Sequence, residues 1–238
     1  MSGPVRYDAR LVEEVVLRVV DRLTAEERGH FRVRRDAIYE LGDVEEREAA
    51  FEGLHGEWFL RMGLDRPLHR ALAERPSVPA RVSESRVLPA RRRREEMADL
   101  VPSAEAAGMP LLVVRLQPER FLDLGALLVI LRRELLHVAD MLDADFGYER
   151  DLPVCEEGPA FGEILRRRYK AVWATTVAGR LARCEDEASP KERARCREEL
   201  ARAFPTLGAG IGATFDRWFD EPRPTHAAIV AFIQSPDS

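Results

Sequence analysis

The chain has 238 residues, of which 45% are hydrophobic and 33% charged, with 15 Gly and 15 Pro. That balance reads as a soluble globular protein long enough to bury a core, and excludes collagen, long disordered tails and membrane bundles. The formal charge is -5, from 37 basic against 42 acidic residues, so there is no global positive field to hold a nucleic-acid backbone. Three cysteines, Cys155, Cys184 and Cys196, are too few for a disulfide framework and lack CxxC spacing. They read as reduced thiols, although Cys184 and Cys196 flank a turn at Ser189-Pro190 across which they could face one another. The residues after Met1 lack the charged start, apolar run and cleavage site of a leader, and the run from Leu124 to Leu131 is far below the ~20 residues of a membrane span. The expectation is a cytoplasmic protein with no membrane association.

Leu11, Val15, Val16, Val19, Val20 and Leu23 recur at helical spacing. Thr24 with Glu27 forms a capping box opening a second helix, and Asp43 with Glu46 repeats the signal before a third carrying Phe51, Leu54, Trp58 and Phe59. Residues 1–75 thus read as a helical region. Pro67, Pro76 and Pro79 break the pattern, and Arg86–Pro89 and Met109–Val114 read as short strands. A long helix over 122–143 completes a middle region of residues 76–160. A loop bearing Gly147, Pro153, Gly158 and Pro159 leads to a C-terminal helical region, 161–238, with helices near 160–187, 190–204 and 210–219 and a short last one capped by Thr225. The fold class expected is α+β and mostly helical, with a small sheet, the three regions packing as one globular unit.

The informative stretch lies on the 122–143 helix. Leu124, Leu127, Leu128, Leu131, Leu135, Val138 and Leu142 fall within an arc of roughly 100° and form a core stripe. On the opposite side Arg133, His137 and Asp140 lie within about 60° of one another, with Glu134 at the flank.

This segment resembles the active-site helix of the zincin metallopeptidases. There an HExxH motif places two zinc-binding histidines one turn apart and a glutamate as general base on the metal-bound water. By that resemblance Glu134 corresponds to the base and His137 to the second histidine, while Arg133 stands where the first histidine belongs. The likeness is greatest to the metzincin branch, including the snapalysin type with HExxHxxGxxD. That carry-over gives Asp143 the third-ligand place and puts Asp140 at the glycine, where the helix would otherwise end and turn the third ligand back. The likeness covers about Met109 to Asp143, including a strand before the helix. A guanidinium stays protonated and offers no lone pair, so Arg133 cannot ligate zinc.

Three readings follow. The first is a degenerate zincin-like protein, non-catalytic, acting as a binding, regulatory or structural subunit with a protein partner and no metal. The second is an active zinc-dependent hydrolase of the peptidase type, with Glu134 as base and His137, Asp140 and Asp143 as ligands, or a shifted site recruiting Cys155 or His55. The third is a helical interaction protein unrelated to zincins.

Other signals read more plainly. Arg91–Arg94, followed by Glu95 and Glu96, reads as a solvated or intramolecularly paired face and not as a phosphate grip. Gly208–Gly212 reads as a helix break, and Ala174, Ala178 and Gly179 as a place of close helix approach or a partner-helix contact. Trp58, Trp173 and Trp218 read as core or groove anchors.

Overall fold

The computed structural model describes residues 3–103, 108–152, 159–184 and 190–236. Among them the chain forms an α+β, mostly helical fold with one four-stranded mixed sheet. Contacts divide it into two compact units, Met1–Val138 and Ala139–Ser238.

The first unit opens with strand β1 (Val5–Tyr7) and helix α1 (Ala9–Val19), which Asp8 caps by accepting from the N–H groups of Arg10 and Leu11. Helix α2 (Ala25–Tyr39) starts at the expected box: Thr24 accepts from the Glu27 N–H while the Glu27 carboxylate accepts from the Thr24 N–H at 3.1 Å. Asp43 caps α3 (Val44–Arg61) at 2.8 Å from the Glu46 N–H, and α4 (Arg66–Ala73) carries Pro67 in its first turn, where no N–H is required.

Strands β2 (Ser85–Pro89), β3 (Met97–Val101) and β4 (Leu111–Leu116) follow, then helix α5 (Leu124–Leu142). The sheet order is β1-β2-β4-β3. Strands β1, β2 and β4 are mutually parallel and β3 runs antiparallel on the β4 edge. Two strands, β1 and β3, lie outside the sequence expectation: β1 has three residues, and Met97–Val101 carries Asp99 and too few β-branched residues to register as a strand.

Alternation along the strands sorts the two sheet faces. Ser85, Val87, Ala98, Leu112, Val114 and Leu116 are buried on one face, which joins the core built by Leu11, Val15 and Val16 of α1 and Leu54, Trp58 and Phe59 of α3. The Phe59 ring lies 4.9 Å from Tyr7 and 5.7 Å from Phe121. Along α5 the expected stripe is buried at Leu127, Leu131, Leu135 and Val138, each worth about 1.5–3 kcal/mol. Leu124, Leu128 and Leu142, at its margins, are half-buried.

The second unit contains α6 (Pro159–Cys184), α7 (Pro190–Ala203), α8 (Ile211–Asp220) and α9 (His226–Gln234), with α6 packed against the other three. Thr225 caps α9, and the break before α8 falls at Gly208, whose φ is +48°. Phe204 and Trp218 each pack on Phe232, with ring centroids 5.2 and 5.3 Å apart. Cys184 is exposed and Cys196 buried, both as free thiols, so the conceivable bridge does not form. Cys155 lies outside the described residues. Among those described, no helix is long and apolar enough to cross a membrane.

Helices α6 and α8 come closest at Gly179, where a Cβ would sit 1.7 Å from the Phe219 carbonyl oxygen. Backbone cannot yield as a flexible side chain can. Gly179→Ala is expected to destabilise the protein by about 3 kcal/mol or more, read as a lowered denaturant midpoint. An unchanged midpoint would mean the two helices are not held at this separation.

Candidate functional site

The polar side of α5 is built onto a helix whose other side is locked in the core. Asp123 starts it, its side chain accepting from the Ala126 N–H at 2.9 Å. Arg132 then forks onto Glu74, beyond the end of α4, with both nitrogen to oxygen distances 2.7 Å. The hydrogen bonds from Arg132 hold the Glu74 carboxyl below the usual carboxylate range.

One turn of α5 carries the pair at the head of the motif. Arg133 donates through Nε and Nη2 to Glu134 Oε1, at 3.1 and 3.0 Å, and the backbone N–H of Ala98 donates to Glu134 Oε2 at 3.3 Å. The carboxylate therefore clamps α5 to strand β3 through one oxygen and neutralises the neighbouring guanidinium through the other. Ala98 and Leu100, two residues apart, turn their N–H groups the same way along β3. The Leu100 N–H donates to its neighbour Asp99 at 2.8 Å, so both donors on that side of β3 meet carboxylates of the chain itself. His137 is half-buried, with its Nδ1 shut away from solvent.

The second unit begins one residue after Val138, and there Asp140 occupies a buried position. Arg180 of α6 donates Nη1 to Oδ1 at 2.7 Å and Nη2 to Oδ2 at 2.6 Å, and Trp173 donates Nε1 to Oδ2, also at 2.6 Å. This is a bidentate, charge-assisted pair with an extra indole donor, the arrangement that makes a buried carboxylate tolerable. Rings enclose it: Trp173 stacks on Phe146 at 5.4 Å and meets Tyr148 and Tyr169 at 5.4 and 5.6 Å. Tyr169 Oη lies 2.7 Å from His226 Nδ1. Burial pushes the Tyr169 phenol up, with Tyr148 and Asp140 adding to it, and burial pushes the His226 imidazole below its ordinary value against a smaller opposing effect of Glu149.

Asp143 is exposed just past the end of α5. Its N–H donates to the Asp140 carbonyl at 3.1 Å, and its carboxylate accepts from the Asp145 N–H at 3.0 Å. The turn that follows uses Gly147, at φ +65°, whose N–H donates to the Asp143 carbonyl. His55 is buried between the rings of Phe31 and Phe51, with centroids 6.2 and 6.0 Å away. Zinc requires three or four converging N, O or S donors. Among the described residues no group of three or more His, Cys, Asp or Glu is placed to hold a metal, and the oxygens of Glu134 and Asp140 already accept protein donors.

Comparison with family models, with curated proteins and with solved structures returned no match. Arg180, Tyr169 and His226 are polar residues of this region that the sequence did not mark, and Trp173, read there as a core or groove anchor, is buried and donates to Asp140 as well. Tyr169, Trp173 and Arg180 stand on one helix at positions that carry no motif, and the bonds of Trp173 and Arg180 to Asp140 span 33 and 40 residues.

Two outcomes follow from this geometry. Asp140→Asn strands the Arg180 charge and is expected to cost about 3–5 kcal/mol in chemical denaturation, whereas Asp140→Leu with Arg180→Met should recover most of that loss. Equal losses in the single and double variants would refute a pairing role. For His226 the folded pKa lies below the unfolded value, so the unfolded chain takes the proton first and stability falls as pH drops through about 6.5. His55, depressed by its own burial, adds in the same direction. His226→Gln should flatten the decline between about pH 7 and 5 in thermal melts, and an undiminished slope would exclude His226 as a source.

Proposed function

We propose that this chain is a degenerate zincin-like protein that acts without catalysis, as a binding, regulatory or structural subunit. The reading is supported by one observation above others: the carboxylate in the general-base register, Glu134, accepts from the Arg133 guanidinium and from the Ala98 N–H. A general base must turn a lone pair toward the water it activates. Glu134 instead directs both oxygens at donors of the protein, and the side chain that would supply the first metal ligand is the cation that engages it. Strand β4 leading into α5 agrees with the element order of the resemblance.

In this reading the polar residues of the motif are retained as joints. Glu134 ties α5 to the sheet edge through Ala98. Asp140 ties the last turn of the same helix to α6 through Arg180 and Trp173. What remains for function is recognition by surface, and the expected partner is a protein.

The test is elemental mass spectrometry on protein purified without chelator or affinity-tag metal, alongside a peptide-library assay. The expected result is no stoichiometric zinc and no chelator-sensitive hydrolysis in the wild type, with Arg133→His raising the zinc content. Near-stoichiometric zinc abolished by His137→Ala, together with peptide hydrolysis lost in Glu134→Gln, would replace this reading with that of an active metal-dependent hydrolase.

A further inference from the structure

The Arg91–Arg94 run lies between β2 and β3, with a tight turn over Arg93–Glu95. The sequence sets two acids directly after it, and their placement decides its character. Glu95 Oε2 accepts from the backbone N–H groups of Arg91 and Arg92, at 2.9 and 3.3 Å. Glu96 accepts the fork of Arg120 at 2.7 and 2.5 Å and the Gln117 N–H at 3.2 Å. Burial pushes the Glu96 carboxyl up, but Arg120, the Gln117 N–H and the nearby charge of Arg93 together hold it below its usual range. Both acids thus take their hydrogen bonds from groups other than the guanidinium groups of the run, and Arg93 reaches Glu96 only by its charge. Among the described residues the side chains of Arg91, Arg92, Arg93 and Arg94 make no ion pair or hydrogen bond, and all four are exposed. Of the two alternatives the sequence left open, solvated or intramolecularly paired, the run is the solvated face.

The run adjoins an open sheet face. Met97, Asp99 and Val101 of β3 stand on the same face as Arg115, Val113 and Leu111 of β4, with which they are in register, and as Leu88 and Arg86 of β2. Met97 is 41% and Val101 40% exposed, and Arg115 is exposed with no ion pair among the described residues. Leu88 and Leu111 are half-buried between them, Val113 at the centre is buried, and Asp99 is half-buried and is the one acid of the strip. Arginines at one end and an aliphatic strip along the strands make a surface with two chemistries.

We propose that this sheet face and the arginine turn at its end dock an acidic amphipathic segment of a partner protein. Charge complementarity demands an anionic occupant, and Arg clusters are a recurrent means of reading acidic motifs. The strip offers aliphatic side chains and no aromatic rings, so bases have nothing to stack on, and the net charge of -5 disfavours a long polyanion. The N–H groups of Ala98 and Leu100 are already bonded to carboxylates, so the occupant adds to the face by side chains and not to the edge as a further strand. An occupant carrying both carboxylates and apolar side chains satisfies the two halves at once. The surface is separate from the Arg133–Glu134 pair, and its test stands whichever way the zinc measurement falls.

Fluorescence anisotropy with a labelled Glu/Leu amphipathic peptide of about 15 residues tests it, beside a Glu/Ser peptide of equal charge and an oligothymidylate. The wild-type chain should bind the Glu/Leu peptide best, more weakly as salt rises. Binding should fall at least about tenfold when Arg91, Arg92, Arg93 and Arg94 are all changed to Gln, and likewise in Met97→Asp, with Arg32→Gln on α2 as an unaffected control. If the fourfold variant loses its helical circular dichroism, Arg115→Gln takes its place in the comparison, with a weakened Kd expected. No binding by the wild type, equal binding of the Glu/Ser peptide, tighter binding of the oligothymidylate, or indifference to the substitutions would each overturn the proposal. So would a dimer in sedimentation that Met97→Asp dissolves, since the occupant would then be a second copy.

Discussion

A carboxylate taken out of water costs several kcal/mol unless donors meet it, and α5 carries two such groups on the side opposite its core stripe. The structure around the helix is arranged to satisfy that constraint. Glu134 meets a guanidinium from its own helix and an amide from the sheet edge, and Asp140 meets a guanidinium and an indole from α6. Each solution uses donors from the carboxylate's own unit: Arg133 and Ala98 for Glu134, Arg180 and Trp173 for Asp140. The apolar stripe beneath, from Leu127 to Val138, keeps the helix from turning to release Glu134.

The functional reading rests on what those bonds leave over. A water-activating base needs a free lone pair beside a metal or a substrate, and a metal site needs several donors directed at one point. Here Arg133 brings a fixed positive charge where a neutral ligand would stand, and the nearby carboxylate closes on it. An arginine in such a place can stabilise a site that no longer holds a cation, because it supplies charge and N–H donors together. Under the proposed reading the polar residues of α5 serve as joints, and recognition would fall to surfaces such as the arginine turn and the aliphatic strip of the sheet.

Much of the helical architecture was legible because its signals are local. The Thr24–Glu27 box, the Asp43 cap, the α5 stripe and the Thr225 cap each act within a turn or two, and each lies where the spacing of the residues put it. Strands β1 and β3 escaped for the complementary reason: with three and five residues they carry too little periodicity, and their neighbours in the sheet supply what their own residues do not. The arginine run shows how one sequence admits opposite outcomes. Glu95 and Glu96 adjoin it in the chain, yet one turns back to backbone amides and the other crosses to Arg120, a choice set by the path of the turn.

By itself the sequence determined where helices begin, which side of each faces a core, that α5 bears Arg133, Glu134, His137 and Asp140 away from its apolar stripe, and that Arg133 offers no lone pair to a metal. Tertiary structure alone decided the partners of those residues. Whether Asp140 is a free ligand or a buried ion pair depends on Arg180 and Trp173, which lie 33 or more residues away. No period or cap reports that distance. Helix and cap signals arise from bonds between near neighbours, whereas the state of a buried charge arises from whatever the folded chain brings to it.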